Sequence, residues 1–274
     1  MNKIAIFVSS FDGYSDLWET FFRIFSINFK NCPYPIYLSS NFKEYKFPNL
    51  TNICTGEEIS WMHRTIKAIE TIKEDYILFM LEDYLIGKKV DNNLIEDAVI
   101  FMKKNNVDYY RLLDIPKSEG VFRNINYLGK INAKQKYGVN TICSIWKKDY
   151  LIKILYEANY VESAWDFEVF LCNKFNSYEN KFLENCCVDR RDILAIKNGV
   201  YRGKWFRTTI KYFKNNGIDI DIKDREIMTL RENLIFDIKS SIDRLLSVKR
   251  KEKIKKFLRN IGFDFLSDKK MEEK

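Results

Sequence analysis

The chain has 274 residues, of which 46% are hydrophobic and 15% aromatic, and it carries a net charge of +8. This composition excludes a largely disordered chain and predicts a globular protein with a sizeable core. No apolar stretch approaches the roughly 20 residues that a membrane span needs. The first apolar run, residues 4–8, is too short for the core of a signal peptide. We therefore expect a cytoplasmic protein.

The excess positive charge lies in the last quarter of the chain. Residues 1–200 hold 26 basic and 26 acidic side chains, whereas residues 201–274 hold 20 and 12. This distribution argues against a nucleic-acid groove through the body and indicates an anionic partner for the C-terminal part.

The cysteines and the histidine argue against a structural zinc site. No C-x-x-C spacing occurs and the chain has one histidine, so we expect reduced, mostly buried thiols. The six cysteines are at positions 32, 54, 143, 172, 186 and 187.

Strand and helix patterns alternate over the first 115 residues, which is typical of a layered α/β sheet. Residues 4–8 read as the first strand, and large apolar residues then recur at helical spacing between positions 18 and 29. The further predicted elements are a strand at 35–38, a helix at 61–72, a buried strand at 76–86, a helix at 92–104 and a strand at 109–113.

The second half begins with a polar, glycine-containing loop at residues 117–137, the kind of segment that often carries specificity. A strand at 139–146 and a helix at 149–158 follow. The sequence SAWDFEVFLCNKF then predicts a helix capped by Ser163. Beyond residue 225 the pattern becomes helical and basic, so we predict two domains, residues 1–225 and 226–274.

An acidic pair marks the strongest candidate site. Glu82 and Asp83 directly follow the apolar run YILFML, which reads as a strand buried on both faces. Open α/β sheets bind ligands at the carboxyl edge of their strands. Adjacent carboxylates there need water, a hydroxyl-bearing ligand or a cation as compensation, so the pair predicts a nucleotide and metal site. The alternative is an acidic turn after a core strand.

Several short motifs, taken in order, resemble a bacterial glycosyltransferase of the GT-A type from capsule or lipopolysaccharide loci. These motifs are spread over residues 4–207, and they are VSSFDGYSDLW, PIYLSS, WMHRTIKAI, FMLEDYLI, AWDFE and NGVYRGKW. The resemblance implies an α/β GT-A fold, with a mixed sheet flanked by helices, followed here by a basic helical extension.

The resemblance also implies where the donor binds. The loop after the first strand would receive the base and ribose of a nucleotide sugar, here through Ser9, Ser10, Asp12 and Tyr14. A tight turn made by Asp12 and Gly13 is the alternative interpretation.

The acidic pair takes the position of the family's D-x-D motif, which holds a divalent cation, Mn or Mg, against the donor's diphosphate. Because successive strand residues point to opposite sides, we assign Asp83 to the metal and Glu82 to the ribose. Tyr84 stands where a full motif might have its second aspartate, which leaves metal dependence open.

Two residues of the helix before that strand carry polar chemistry. Arg64 is assigned to the nucleotide sugar, because a guanidinium offers forked donors to phosphate, with a structural ion pair as the alternative. For His63 we expect a structural role.

The AWDFE motif supplies the candidate base. Inverting transfer needs a carboxylate to take the acceptor's proton, and Asp166 and Glu168 are the candidates. They diverge on a helix, so one of them acts, and Glu168 is favoured. A purely structural alternative is a helix cap at Ser163 with acidic residues complementing the helix dipole.

The segment 198–207 is basic and contains two glycines. Glycines allow close approach of the backbone to a ligand, and cations there could neutralise a diphosphate. The resemblance includes a GKW-like segment, which implies that Arg202 and Lys204 bind the donor's phosphates. A solvated basic loop is the alternative.

The C-terminal pattern is amphipathic and basic. The stretch KRKEKIKKFLR has seven basic residues and one acidic residue among apolar positions at helical spacing. It predicts peripheral contact with the inner face of a membrane, where lipid-linked acceptors reside, while packing on the protein or a dimer contact would account for it equally.

The predicted function is inverting, metal-assisted transfer of a sugar from a nucleotide diphosphate, with uridine as the expected base, to a capsule or lipopolysaccharide glycan. The alternatives are a nucleotidyltransferase and a non-enzymatic module that binds nucleic acid or membranes. The first normally has a glycine-rich basic loop after its first strand, which VSSFDGYSDLW lacks.

Overall fold

The computed structural model describes residues 4–57, 60–132, 136–158, 160–177, 183–223 and 225–245. The chain forms two compact units, residues 1–233 and 234–274. The second unit lies largely outside the described residues, as does most of the basic amphipathic pattern. The domain boundary at 225/226 stays a prediction.

Twelve strands are present in the described part of the chain, several of them only two residues long. They are β1 (Ile4–Ser9), β2 (Ile36–Ser40), β3 (Leu50–Cys54), β4 (Tyr76–Leu81), β5 (Tyr84–Leu85), β6 (Tyr109–Arg111), β7 (Leu128–Lys130), β8 (Ser144–Lys147), β9 (Cys186–Asp189), β10 (Lys197–Asn198), β11 (Val200–Tyr201) and β12 (Lys204–Trp205).

Seven α-helices are described, together with a short 3₁₀ turn at Asp12–Tyr14. None of the helices in this part of the chain is both long and apolar enough to cross a membrane. The helices are α1 (Ser15–Asn28), α2 (Trp61–Thr71), α3 (Asn92–Asn105), α4 (Lys148–Glu157), α5 (Ala164–Ser177), α6 (Arg207–Asn215) and α7 (Leu230–Leu245).

The main sheet has eight strands in the order β3-β2-β1-β4-β8-β6-β9-β7. The first four are parallel to one another, and β8 runs antiparallel to both β4 and β6. The strand β9 is parallel to β6, and β7 closes the sheet in the antiparallel direction. The predicted fold class is therefore confirmed as α/β, with a mixed sheet flanked by helices.

Alternation along the central strands explains the two helical layers. In β1, Ile4, Ile6 and Val8 belong to one apolar cluster, which also contains the aromatic face of α1. The intervening Ala5 and Phe7 belong to a second cluster, built with α2, α4 and α5. Because every β1 residue is buried, the strand lies at the centre of the protein with core on both faces.

Most long elements match their predicted positions within a few residues, and two predicted strands were too long. The predicted strand 76–86 ends at Leu81, because a turn at residues 82–83 separates β4 from β5. The predicted strand 139–146 begins only at Ser144. The residues before it form an irregular buried segment in which Cys143 has a positive φ of 41°, which an extended strand does not allow.

The strands β3, β7 and β9 were not predicted. The edge strand β3, with the sequence LTNIC, has mixed polarity and no buried residue, so no apolar alternation marks it. The strand β7 has three residues inside the predicted loop 117–137. It forms because β9 offers an unpaired edge, which is a tertiary cause.

Candidate functional site

The candidate site lies where the sheet changes direction. From β1 the chain moves outward through β2 to β3 and then returns to β4 on the other side of β1. Ser9 at the end of β1 pairs in register with Leu81 at the end of β4. Such a switch point leaves a crevice at the carboxyl ends of the strands, the usual ligand position in open α/β sheets. A cleft of about 500 Å³ occupies this position.

The acidic pair forms the floor of this cleft. Glu82 and Asp83 both line it, and Glu82 is only 6% exposed. Burial raises the pKa of Glu82, and the Asp83 charge raises it further, whereas a hydrogen bond with Ser10 opposes the shift. Burial also raises the pKa of Asp83, against a backbone hydrogen bond and the positive charge of Arg225. The pair therefore stores unfavourable electrostatic energy that a cation or a proton would relieve.

Glu82 and Asp83 were given separate roles because strand residues were expected to point to opposite sides, and this reason was wrong. Both residues lie in the turn after β4 rather than in the strand, so the alternation of strand side chains does not apply to them. The turn is held from behind by Gly199, whose backbone N–H donates to the Asp83 carbonyl at 2.6 Å. A Cβ at position 199 would lie 3.0 Å from that carbonyl oxygen, so a glycine is needed for this approach.

Two serines and two tryptophans fix the end of β1. The Ser9 and Ser10 hydroxyls both line the cleft. Ser9 Oγ accepts from Trp61 Nε1 at 3.1 Å, and Ser10 Oγ accepts from Trp18 Nε1 at 2.8 Å. Each hydroxyl therefore has a fixed acceptor geometry, and the Ser10 hydroxyl hydrogen bonds to Glu82.

Two neighbouring aromatic rings, with an arginine beside each, stand at one wall of the cleft. The Phe11 and Tyr14 rings have centroids 4.9 Å apart. The Arg64 guanidinium lies 5.7 Å from the Phe11 centroid, and the Arg225 guanidinium lies 4.4 Å from the Tyr14 centroid. Phe11, Tyr14 and Arg64 line the cleft, and Arg64 is only 5% exposed. Stacked rings and guanidinium groups are suited to a flat aromatic base and an anion.

Asp12 lies outside the cleft lining. Its carboxylate accepts from the backbone N–H groups of residues 41, 42 and 43, and the backbone N–H of Asp12 donates to Asn41 Oδ1. Burial works against ionisation, but the three backbone hydrogen bonds prevail and lower the Asp12 pKa. The side chain thus ties the loop after β1 to the loop after β2, and its assignment to the nucleotide stays a prediction.

The opposite wall of the cleft carries Glu168. Its Oε1 accepts from the Thr141 backbone N–H at 3.0 Å and from the Thr141 hydroxyl at 2.8 Å. Burial raises the Glu168 pKa, and the Thr141 hydrogen bonds partly counteract this. The Glu168 charge in turn raises the pKa of Asp83, so the two carboxylates are close enough to interact across the cleft. A carboxylate held through one oxygen, with a raised pKa, is suited to accept a proton.

Asp166 performs a different task. The Ser163 hydroxyl donates to Asp166 Oδ2 at 2.6 Å, and the Asp166 backbone N–H donates to Ser163 Oγ at 3.1 Å. This is a capping arrangement at the start of α5, as expected from Ser163. Glu168 is part of the cleft lining and Asp166 is not, and the choice of base between them stays a prediction.

The basic residues of the segment 198–207 do not line the cleft either. Arg202 and Gly203, with φ of 51° and 79°, make the two-residue turn between β11 and β12. Lys204 Nζ contacts Glu226 at 2.9 Å and Glu232 at 3.2 Å. The assignment of Arg202 and Lys204 to phosphate stays a prediction, and Lys204 already has two carboxylate partners.

His63 also lies outside the cleft lining. It is exposed, with its ring Nδ1 2.7 Å from Ser60 Oγ at the start of α2. Ser60 Oγ also accepts from the His63 backbone N–H, so the pair belongs to the cap of this helix.

Sequence reasoning missed several residues in or beside this site, among them Phe11, Trp61, Thr141 and Arg225. Phe11 lies inside the quoted motif VSSFDGYSDLW and Trp61 opens WMHRTIKAI, so an aromatic residue in each motif was a usable signal. Thr141 and Arg225 stand in segments without any motif. Their roles depend entirely on contacts made by folding.

The carboxylates fit a cation that arrives with its substrate. Among the described residues no group of three or more His, Cys, Asp or Glu side chains is arranged to hold a metal ion. Glu82 and Asp83 together offer hard oxygen donors on a desolvated floor. Magnesium commonly binds through one or two carboxylates and completes its shell with substrate phosphates and water. The pair therefore suits a cation shared with a diphosphate.

Comparison with known proteins gives only weak similarities. No family model matches the chain, and no curated protein matches it. Among solved structures, S. aureus TarS 1–349 in complex with UDP-GlcNAc is 8% identical, with a TM-score of 0.46 over 92% of this chain and 70% of that one. The matches to two other structures of TarS 1–349 cover only 58% of the TarS chain.

Two further structures give similar values. A cytidylyltransferase from Leptospira borgpetersenii is 10% identical, with a TM-score of 0.46 over 90% of this chain and 99% of that one. An active-site mutant of LgtC is 10% identical, with a TM-score of 0.40 over 80% of this chain and 85% of that one. All of these TM-scores lie below 0.5, so the similarities identify neither a family nor a function.

The buried pair predicts a pH-dependent gain in stability for Glu82→Gln. The pKa of Glu82 in the folded protein is raised above its ordinary value of 4.5. The free energy of unfolding therefore falls as the pH rises from that ordinary value through the folded pKa. Glutamine avoids this loss. We expect equal melting temperatures near pH 4.5 and, at pH 8, a variant more stable by roughly 2–4 °C, the shift produced by about 1 kcal/mol in a protein of this size.

Thermal unfolding of the ligand-free protein measures this difference. The exposed Glu96→Gln is the control, because it removes the same charge from the surface of α3. An unchanged or lower melting temperature of Glu82→Gln at pH 8 would contradict the account.

Proposed function

We propose that the protein is a glycosyltransferase that uses a nucleotide-diphosphate sugar, a uridine diphosphate sugar being the expected donor, and inverts the anomeric centre. The observation that carries the proposal is the convergence of three groups on one cleft. The end of β1, the acidic pair after β4 and Glu168 on α5 meet there, although they come from distant parts of the sequence. The class of the enzyme and its substrate both belong to the proposal.

The wall formed by Phe11 and Tyr14 is suited to the donor's nucleoside. A base can stack on these rings, and the Ser9 hydroxyl can donate to ribose or phosphate oxygens. Glu82 beside Ser10 can accept from a ribose hydroxyl. Arg64 supplies positive charge on the same wall.

The chemical step needs a base on the opposite side of the sugar from the leaving group. In the proposed step Glu168 takes the proton of the acceptor hydroxyl while that oxygen forms a bond to the anomeric carbon. The bond from the anomeric carbon to the diphosphate breaks, and its electron pair leaves on the nucleoside diphosphate. Thr141 orients Glu168 through Oε1, and among the described residues Oε2 has no hydrogen-bond partner.

Asp83, with Glu82 beside it, would hold Mn or Mg. When bound, this cation would neutralise the acidic pair and polarise the diphosphate as a Lewis acid. The chain's own contribution is to keep the two carboxylates desolvated and fixed, through β4 on one side and Gly199 on the other.

The acceptor belongs to the same proposal. A hydroxyl of a capsule or lipopolysaccharide glycan, free or lipid-linked, would enter beside Trp165 and Glu168, both of which line the cleft. Membrane contact through the basic pattern beyond residue 245 concerns a part of the chain outside the described residues, and it stays a prediction.

A nucleotidyltransferase is the competing enzyme class. The loop after β1 holds one glycine and a 3₁₀ turn, and its Asp12 carboxylate already binds three backbone amides. This loop is not a glycine-rich basic cradle for a triphosphate, so its geometry favours a glycosyltransferase over a nucleotidyltransferase.

A ligand panel tests the donor class. We expect one nucleoside diphosphate and its sugar derivative to raise the melting temperature, because binding at 100 times Kd stabilises by about 2.7 kcal/mol. Mn²⁺ should increase the effect in the native protein and have little influence in Asp83→Asn. Thermal shift with and without Mn²⁺, over diphosphates, sugar nucleotides and CTP, provides the measurement. Stabilisation by CTP alone, with release of pyrophosphate, would support a nucleotidyltransferase. If no nucleotide stabilises the protein, the result would support a non-enzymatic binding module.

Gly13→Ala should weaken nucleotide binding through Phe11. A Cβ at position 13 would lie 2.5 Å from Phe11 Cε2, so the ring must leave its place in the cleft wall. Gly13 itself is exposed, so stability should change little. We expect about tenfold weaker binding of the diphosphate found in the panel, measured by calorimetry, with the melting temperature within about 1 °C. Phe11→Leu should have a similar effect, and unaltered affinity in both variants would show that the ring is not part of the binding site.

Glu168→Gln should remove the base while preserving the shape of the site. General base catalysis contributes roughly 10²–10⁴-fold, so donor hydrolysis, in which water replaces the acceptor, should slow by about that factor with unchanged donor affinity. Asp166→Asn is the matched control on the same helix and should keep most of the rate. The reverse pattern, or retention of the anomeric configuration in the product, would remove Glu168 from the mechanism.

A further inference from the structure

Arg225 is a cation beside the cleft that belongs to none of the sequence motifs. Its Nε and Nη2 donate to the two carboxylate oxygens of Asp16, the latter at 2.8 Å, and Nη2 also lies 3.4 Å from the Gly13 carbonyl oxygen. Its guanidinium lies over the Tyr14 ring, which also contacts the Phe11 ring. These contacts fix the position of the charge against the wall of the cleft.

The charge of Arg225 reaches the floor of the cleft. It lowers the pKa of both Glu82 and Asp83, in opposition to the dominant effect of burial. It also lowers the pKa of Tyr14, which burial and those two carboxylates raise. The tyrosine hydroxyl, the acidic pair and the guanidinium therefore interact within one small volume.

A diphosphate bound in this cleft would lie near two carboxylates that carry charge of the same sign. Glu82 and Asp83 repel an anion, and opposite charges must compensate both the pair and the ligand. Among the described residues that line the cleft, Arg64 is the one Lys or Arg, and Arg225 stands immediately beside Tyr14. A guanidinium has five N–H donors, and Asp16 engages only one edge of the fork. The Tyr14 hydroxyl is a further hydrogen-bond partner of the Arg225 side chain, so the described contacts leave one of its five N–H groups for a ligand.

We propose that Arg225 is a diphosphate-binding residue of this cleft, held by Asp16 and Tyr14 with its remaining N–H group available to the donor's phosphates. This inference rests on the proposed function and adds to it the residue that neutralises the leaving group. Arg64 contacts the Phe11 ring of the aromatic pair and Arg225 contacts the Tyr14 ring. A nucleoside lying on that pair therefore has a fixed cation beside each ring.

Asp16 acts here as a positioning residue. A paired carboxylate raises the pKa of Arg225 and fixes the direction of its fork without engaging all its donors. Bidentate geometry is specific to arginine, because lysine presents a single ammonium group on a flexible stem. Arg225→Lys should therefore recover only part of the function, although it retains the charge.

The test compares a charged and an uncharged probe of the same nucleoside. Affinities for UDP and for uridine are measured by calorimetry, in Mn²⁺ and in EDTA, for the native protein and for Arg225→Met. We expect Arg225→Met to bind UDP about tenfold more weakly or worse and to bind uridine as the native protein does. Arg225→Lys should lie between the two for UDP. A charge-assisted contact to phosphate affects one probe only, whereas a displaced Tyr14 affects both.

Arg23→Met is the matched control. Arg23 is exposed on α1 and donates to the Asp219 carbonyl, so it ties the same C-terminal segment to the same helix away from the cleft. It should leave both affinities unchanged. Equal loss of UDP and uridine in Arg225→Met, or no loss of either, would overturn the inference. If the native protein binds no nucleoside diphosphate, the proposed donor class fails instead, and that result is distinct because it precedes any substitution.

Discussion

The rest of the site depends on the parallel pairing of β1 with β4 at the centre of the sheet. Their six-residue register runs from Ile4 with Tyr76 to Ser9 with Leu81, and both strands are enclosed by core. This pairing forces the residues that follow each strand to the same edge, so Ser10 meets Glu82 without any freedom to avoid it. Two adjacent carboxylates are thereby withdrawn from water at one point. Their raised pKa values express a cost in folding free energy that a functional ligand can offset.

The groups that surround the desolvated acidic pair come from three separate parts of the chain. The loop after β1 supplies hydroxyls and aromatic rings, α5 supplies Glu168, and the segment after α6 supplies Arg225. Rigid elements position each of them: Thr141 orients Glu168, and Asp16 in the first turn of α1 orients Arg225. A site assembled in this way is suited to chemistry, because fixed charges and donors need not reorganise when the reacting groups change charge.

The carboxylates near the cleft show how the same residue type takes different roles. Asp12 has its charge satisfied by three backbone amides and connects two loops, and Asp166 caps a helix. Glu82, Asp83 and Glu168 share the cleft lining and have raised pKa values. Three backbone N–H groups lower the Asp12 pKa despite burial, whereas for Glu82, Asp83 and Glu168 burial outweighs the hydrogen bonds that they accept.

By itself, the sequence determined the α/β class, the buried strand with its terminal acidic pair and the helix that carries Glu168, because apolar periodicity and capping are local properties. It did not determine where β4 ends, and nothing in it marked β7 or β9, whose pairing partners are far away in the sequence. It assigned phosphate binding to Arg202 and Lys204 from the resemblance, and folding places Lys204 against two glutamates. Of the cations that it assigned to the donor, Arg64 lines the cleft. Only the tertiary structure brings Arg225 beside Tyr14, since that depends on how the segment after α6 packs against α1, 209 residues earlier in the chain.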